Sequence, residues 1–244
     1  MIKRIVVTTA SLIFCTVLTA QDEPIVNSGG YTKVYRGKEA AFEKDVASHV
    51  SKWHGEGQWN QFASQVMSGP RSGQYFIGTT NHYWKDYDDR VTTDAHDNDW
   101  ERIVNKYVEE NSGMLYYVKV PDASYNDRRS LMFSLTYLYC KPGDVDRKLD
   151  LIRKIKEAAE KTDYERSWSI YRLRGGKGSV LAAVNRLDGM VDMGPAKMSF
   201  FDMWVKTFGE ETASEMTDTW YNTHTKSIEE IHRLIDSMTS PPPN

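Results

Sequence analysis

The apolar residues of the chain recur with two periods, every second residue in some segments and every third or fourth in others. Over residues 28–125 these periods predict the order strand, helix, strand, strand, helix, strand. The helices are predicted over 38–53 and 98–110, where the apolar residues share one face. The strands are predicted over 31–36, 59–67, 74–80 and 114–120. Turn residues over 68–73 predict that the middle two strands form a hairpin.

The same order of elements follows over residues 130–240. Residues 131–140 are largely apolar on both faces, which predicts a central strand that is covered on both sides. A helix is predicted next, then strands over 166–174 and 179–186 around a Gly-rich turn, then a helical region over 199–223. This repetition favours two copies of one unit over one large domain or two independent domains.

The last predicted element, residues 227–236, has two interpretations. Ile228, Ile231 and Leu234 have helical spacing. The repeat instead requires a strand, and it aligns residues 231–234 with residues 117–120. We favour the strand because a unit without it would lose a sheet partner, while the local period keeps the helix open.

Two consecutive β-α-β-β-α-β units resemble the dimeric α+β barrel superfamily. That group includes antibiotic-biosynthesis-type monooxygenases, EthD- and NIPSNAP-like proteins, and relatives of chlorite dismutases and dye peroxidases. The resemblance covers nearly the whole mature chain and rests on element order, without a diagnostic motif. It implies an α+β fold of two tandem ferredoxin-like units that pack as an intrachain α+β barrel. Helices would cover the outside and the inner faces would enclose a cavity. Such a fold does not by itself specify a function.

The first twenty residues predict an export signal. Lys3 and Arg4 precede an apolar stretch that is too short to span a bilayer comfortably, and Ala20 supplies a small residue before a cut. An uncleaved N-terminal anchor is the alternative. The predicted location is therefore periplasmic or secreted, with no integral membrane segment after signal removal. Cys140 is then the only Cys, which excludes an internal disulfide and predicts a buried small hydrophobe.

Charge and motifs predict neither a nucleic-acid partner nor a metal or cofactor. The net charge is −3 and there is no basic block. The acidic run from Asp94 to Asp99 lacks the spacing of a calcium loop and is better explained as helix capping. The six His form no recognised motif, so a zinc site would have to be assembled by the fold, which spacing does not exclude. The Gly-rich turn around Lys177 lies between strands, where a phosphate-binding loop would need a following helix.

The aromatic surplus, 12% of the chain, points to an apolar cavity with a few hydroxyl groups. The residues predicted to bind a ligand are His82, Tyr116, Tyr139, Trp168, Tyr171 and Arg172. The favoured function is binding of a small, mostly apolar molecule inside the barrel, without catalysis. The alternative is a cofactor-free or haem-dependent oxygenase or peroxidase, with His82 or His224 pointing into the cavity near Arg172 or a Tyr. A third hypothesis is a barrel filled by core side chains that acts only as an interaction surface. Catalytic residues and oligomeric state are left unassigned.

Overall fold

The computed structural model of the chain describes residues 23–55, 59–176 and 178–241. The predicted signal segment lies outside these residues. Within them, no helix combines the length and the apolar character needed to cross a membrane. The strands are β1 Val26–Val34, β2 Phe62–Ser68, β3 Tyr75–His82, β4 Val108–Asn111, β5 Leu115–Lys119, β6 Met132–Cys140, β7 Trp168–Arg174, β8 Ser179–Leu187 and β9 His224–Leu234. The helices are α1 Glu39–Trp53, α2 Trp84–Asp89, α3 Asp94–Ile103, α4 Val145–Thr162, α5 Phe200–Phe208 and α6 Glu210–Asn222.

Eight strands close into one antiparallel barrel. The first unit forms a sheet in the order β2-β3-β1-β5, with β4 pairing beside β5 on the same edge of β1. The second unit forms the equivalent sheet β7-β8-β6-β9. The two sheets join at β2–β9 and β5–β7, so no sheet edge is left in the ring of eight strands. The predicted fold class, two tandem ferredoxin-like units in one α+β barrel, is confirmed.

The last element is the strand β9, as the repeat predicts, and not a helix. The predicted alignment of the two units is wrong by one residue here. Ser28 of β1 pairs with Tyr116, whereas Ser134, at the same place in β6, pairs with Ile231. His232 is therefore the counterpart of Tyr117, which faces the barrel interior. A shift of one residue moves every side chain of a strand to the opposite face, so this register decides what the barrel contains.

Two predicted helices have different limits in the structure. The helix predicted over 98–110 is α3, which begins at Asp94 and ends at Ile103; Asn105–Tyr107 then form a 3-10 turn, and β4 begins at Val108. The Thr93 side chain caps α3 by accepting from the His96 N–H at 3.2 Å, and Asp94 and Asp97 lie in its first turn. The region predicted over 199–223 is two helices, because Gly209 has φ 86°, which an α-helix does not accommodate.

Within the described residues, the buried apolar side chains form three clusters. One lies inside the barrel and includes Tyr31, Tyr117 and Tyr137. The second lies between the second sheet and α4–α6, and buried Cys140 belongs to it, as its apolar surroundings predict. The third lies between the first sheet and α1 and α3. The helices thus cover the outside of the barrel. A ligand site can therefore lie inside the barrel or in one of the two layers between a sheet and its helices.

Candidate functional site

A chain of three tyrosine hydroxyls crosses the barrel interior. The Tyr31 hydroxyl donates to Glu230 Oε2 at 3.0 Å and lies 2.8 Å from that of Tyr137. Tyr137 in turn lies 2.9 Å from the Tyr117 hydroxyl. The Tyr31 hydroxyl has one proton, and it donates that proton to the carboxylate. The Tyr137 hydroxyl must therefore donate to Tyr31, and the Tyr117 hydroxyl must donate to Tyr137. Burial raises the pKa of all three hydroxyls, which keeps them protonated.

Glu230 on β9 accepts the last hydrogen bond of this row of hydroxyls and is paired with Arg71. The Arg71 Nε and Nη2 atoms donate to Oε1 and Oε2 at 2.9 Å each, and the Arg71 backbone N–H donates to Oε1 at 3.1 Å. The guanidinium also lies 3.7 Å from the centre of the Tyr31 ring. Burial opposes ionisation of Glu230, but its interactions with His232 and Arg71 outweigh burial and lower its pKa to about 2. The pair therefore holds a charged carboxylate inside the barrel.

His232 is the second ionisable residue of β9 that faces inward, and it is fully buried. Its ring stacks on Phe133 with centroids 4.9 Å apart, and Nδ1 lies 3.0 Å from Ser64 Oγ. Nε2 lies 3.6 Å from Glu230 Oε2, which is longer than a hydrogen bond. Burial lowers the pKa of His232. Together with the tyrosines, His232 and the Glu230–Arg71 pair fill the hairpin end of the barrel.

The opposite end of the barrel is hollow. A cavity of about 410 Å³ lies where β3, β5, β8 and β9 end and β2 and β6 begin. Its volume is in the range of small-molecule sites. The deep wall is aromatic and aliphatic, formed by Phe62, Phe76, Tyr117, Phe133, Leu135, Tyr171 and Val184. The mouth is polar and carries more cations than anions, with Lys119, Asp127, Arg128, Arg129 and Arg186. Such a cavity suits a ligand with an apolar body and a polar end.

Arg186 is a side chain of the mouth with a buried donor that no described residue uses. Its Nη2 atom donates to Asp127 Oδ1 at 3.1 Å and to Ser169 Oγ at 3.2 Å. Its Nε atom is buried and finds no hydrogen-bond partner among the residues that the structure describes. Asp127 also accepts from Lys119 Nζ at 2.6 Å, so one carboxylate is shared by two cations. Burial raises the pKa of Asp127, but Lys119 and Ser169 outweigh it and leave the pKa lowered. An anionic group would complete this cluster.

Of the six residues predicted to bind a ligand, two face the barrel interior. Tyr171 lines the cavity. Tyr139 belongs to the interior cluster but not to the described lining of the cavity. His82, at the end of β3, lies beside the cavity rather than in its lining. Its Nε2 atom is 2.5 Å from Thr79 Oγ1, and its ring packs against that of Trp59 at a tilt of 32°, with centroids 3.7 Å apart.

The other three point away from the interior. Trp168 and Arg172 alternate with Tyr171 along β7, so they take the outer face when Tyr171 takes the inner one. Trp168 packs in the apolar cluster between the second sheet and α4–α6, and its indole N–H donates to Ala123 O at 3.0 Å. Arg172 pairs with Asp146 at 3.3 Å. Tyr116 precedes inward-facing Tyr117 and packs on two aromatic rings of the α2 segment, those of Trp84 and Tyr87.

The placement predicted for an oxygenase is also corrected. His224 does not enter the cavity, because its Nδ1 atom lies 2.8 Å from Trp220 O and 3.2 Å from Lys148 Nζ on the helix-covered side. Glu230, His232 and Arg186 are interior residues that were not predicted from the sequence. For Glu230 and His232 the available signal was the alternation Ile228, Glu230, His232, Leu234, which the helical spacing of nearby apolar residues obscured.

A second cavity, of about 440 Å³, lies outside the barrel between the first sheet and helices α1 and α3. Three histidines that the sequence did not associate meet there: His49, His54 and His96. One ring nitrogen from each lies within 4.8 Å of the others. His49 is on α1, His54 ends it, and His96 is in the first turn of α3. The packing of α1 on α3 therefore creates a potential metal-binding group.

Solved structures with this fold resemble the chain over most of its length. A monooxygenase-like protein from Lactobacillus acidophilus matches with a TM-score of 0.56 at 9% identity, covering 91% of this chain and 98% of that one. An anthrone oxidase-like protein matches with 0.52 at 10% identity, covering 88% and 92%. A chlorite dismutase from Candidatus Nitrospira defluvii matches with 0.53 at 7% identity, covering 89% and 94%. No protein-family model and no curated protein matches the sequence. At these identities the likeness establishes the α+β-barrel fold and not the activity.

Haem does not fit the barrel cavity. An axial ligand to haem iron is a His, Cys, Met or Tyr side chain. Within the described residues, no His, Cys or Met lines this cavity. The Tyr117 hydroxyl is engaged by Tyr137, and Tyr171 has no cation at hydrogen-bond distance in the described part of the chain to stabilise a phenolate. The structure therefore gives no support to a haem-dependent reaction in the barrel.

Proposed function

We propose that this α+β-barrel protein binds a small, mostly apolar molecule that carries one acidic group. The apolar body would occupy the aromatic wall formed by Phe76, Phe133 and Tyr171, and the acidic group would meet Arg186 at the mouth. The observation that carries the proposal is the buried Arg186 Nε atom, which has no acceptor within the described residues. An unused buried donor is unfavourable, and a ligand anion would satisfy it with a charge-assisted bond once the Arg186 side chain turns this solvent-inaccessible atom toward the cavity.

The proposal predicts how two matched fluorescent probes bind. 1-Anilinonaphthalene-8-sulfonate carries an anion, and N-phenyl-1-naphthylamine has the same rings without it. We expect Arg186→Gln to weaken binding of the sulfonate roughly tenfold or more, since hydrogen bonds to charged groups contribute about 1.5–3 kcal/mol. Binding of the neutral probe should change less than about twofold, because the aromatic wall is intact. Fluorescence titration of both probes measures the difference.

Arg172→Gln is the matched control, because Arg172 is a partly exposed arginine on the outside of the barrel that pairs with Asp146. It should leave both probes unaffected. Leu135→Trp, which adds volume to the cavity wall, should weaken both probes and shows that they enter the barrel. Equal binding of the sulfonate by the wild type and Arg186→Gln would refute the proposed role of Arg186. Circular dichroism of each variant checks that the barrel is folded.

A cofactor-free oxygenase activity is the second candidate, favoured by the fold likeness to monooxygenase-like and anthrone oxidase-like proteins. Anthrone is an apolar tricyclic ketone whose enolate is an anion, so it matches the aromatic wall and the Arg186–Lys119 mouth. Its oxidation balances as anthrone and O₂ giving anthraquinone and water. We expect metal-free protein to consume one O₂ per anthraquinone, faster than buffer alone and more slowly with Arg186→Gln. An oxygen electrode and chromatography of the product measure this, and a rate equal to buffer rejects the oxygenase candidate only.

A further inference from the structure

The three histidines of the outer cavity carry an inference that is independent of the barrel site. We propose that His49, His54 and His96 bind a divalent first-row transition-metal ion, for which zinc is the best match. Imidazole nitrogens suit zinc, copper, iron and nickel. Three neutral protein nitrogens around one point are also the ligand set of zinc sites that keep a fourth position open.

Two of the rings are held through Nδ1 by fixed acceptors. His49 Nδ1 lies 2.9 Å from Asp99 Oδ2, and His54 Nδ1 lies 2.6 Å from Trp59 O. A carbonyl oxygen cannot donate, so His54 must carry its proton on Nδ1. The Asp99 carboxylate is itself held by Trp53 Nε1 at 3.2 Å, which fixes the orientation of the His49 ring. Metal-bound histidines are commonly held in this way, with the second ring nitrogen on a carboxylate or a carbonyl.

The third ring has the same arrangement. His96 Nδ1 lies 2.8 Å from Asp97 Oδ1, so its proton also belongs on Nδ1. In each neutral ring the lone pair is then on Nε2. His49 Nε2 is buried and has no hydrogen-bond partner in the part of the chain that the structure covers. His54 Nε2 and His96 Nε2 lie 3.4 Å apart with no proton left between them.

This geometry favours a bound cation. Two facing lone pairs at 3.4 Å repel each other, and a buried nitrogen without a partner is unfavourable. A zinc ion bound at about 2.0–2.1 Å from each nitrogen places tetrahedral ligand atoms roughly 3.3 Å apart. The His54–His96 separation of 3.4 Å is close to that value. A ring nitrogen of His49 lies within 4.8 Å of ligand atoms of the other two histidines, so a small side-chain movement would complete the three contacts.

The surroundings leave room for a fourth ligand. All three histidines line the cavity of about 440 Å³, together with Arg90 and Glu101. A water molecule or a small oxygen-donor anion could therefore reach the ion from this cavity, where Arg90 provides a positive charge. Because this cavity lies outside the barrel, the metal site would be separate from the Arg186 mouth.

Metal titration of the full chain, purified without a polyhistidine tag and dialysed against EDTA, tests the site. We expect one equivalent of Co²⁺ to give the intense visible absorption of a tetrahedral complex and one equivalent of Zn²⁺ to abolish it. Zinc at about 100 times its Kd should raise the melting temperature by roughly 5–10 °C. A weak octahedral Co²⁺ spectrum, or no binding, would overturn the proposal.

Three variants assign the ligands. His96→Gln, at a partly exposed position, should weaken Co²⁺ binding by about 100-fold or more and remove the zinc-dependent rise in melting temperature. Asp97→Asn changes an exposed side chain and should weaken binding by about tenfold, since partners of metal-bound histidines contribute about 10- to 100-fold. His224→Gln, outside the cluster, should bind Co²⁺ as the wild type does. Wild-type binding by both His96→Gln and Asp97→Asn, or equal loss in His224→Gln, would contradict the assignment.

Discussion

Replacing Glu230 by Gln is expected to lower the free energy of unfolding by about 3–5 kcal/mol at pH 7, because it leaves the Arg71 guanidinium without its counter-ion in the barrel. Gln keeps the length of the side chain and one acceptor, so the packing around it changes little. The Tyr31 hydroxyl also loses a charged acceptor. Urea unfolding of the wild type and the variant, followed by circular dichroism, measures the difference.

The same carboxylate predicts a dependence on pH. Its folded pKa is about 2, lower than the roughly 4.3 of an unfolded chain, so the folded state binds the proton more weakly. Glu230 therefore contributes stability that is fully present above about pH 5 and is lost as the pH falls toward 2. The lost contribution is about 3 kcal/mol. Other carboxylates titrate in this range, so the quantity to follow is the difference between the wild type and Glu230→Gln, which should shrink as the pH falls.

A double variant separates the charge from the packing. In Arg71→Met with Glu230→Leu, both partners are apolar and no charge is left unpaired, so most of the lost stability should return. A double variant as unstable as Glu230→Gln would mean that packing, and not the unpaired Arg71 charge, dominates. A Glu230→Gln variant within about 0.5 kcal/mol of the wild type would contradict the electrostatic account altogether.

The order of elements was predictable because it depends on local periods. The apolar period of 38–53 predicted α1, and the turn residues between β2 and β3 predicted their hairpin. The strand character of β9 followed from the repeat although its local period indicated a helix. These inferences need only neighbours along the chain and the requirement that each strand have a partner.

The face that each residue takes was not predictable in the same way. Residues 131–140 and the β7 segment are apolar on both faces, because one face packs on helices and the other fills the barrel. Nothing in the sequence of β7 therefore separates inward Tyr171 from outward Trp168. The interior ion pair joins a hairpin residue, Arg71, to the distant Glu230, and the outer cavity joins α1 to α3. Such contacts depend on strand register and helix packing.

Gly78→Ala is expected to lower the free energy of unfolding by about 3 kcal/mol or more, because it disrupts the pairing of two strands in the centre of the first sheet. Gly78 on β3 pairs with Gly29 on β1. A Cβ atom added at Gly78 would lie 1.9 Å from Ser28 O and 2.7 Å from Gly29 Cα, distances that atoms cannot adopt. Because the obstacle is backbone, no side chain can rotate away, and β1 must separate from β3. Urea unfolding and amide hydrogen exchange in the two strands measure the effect.

The matched control for this substitution is Gly189→Ala. Gly189 has an extended backbone with φ 179°, and a Cβ atom added there meets nothing within 4 Å, so its stability should change by less than about 0.5 kcal/mol. Equal stability of the two alanine variants would show that β1 and β3 are less closely apposed than the structure has them. Ser28, the residue that the added atom would strike, lines both the barrel cavity and the histidine cavity. Gly78→Ala should therefore weaken probe binding and metal binding together, whereas Arg186→Gln and His96→Gln should each affect only one of them.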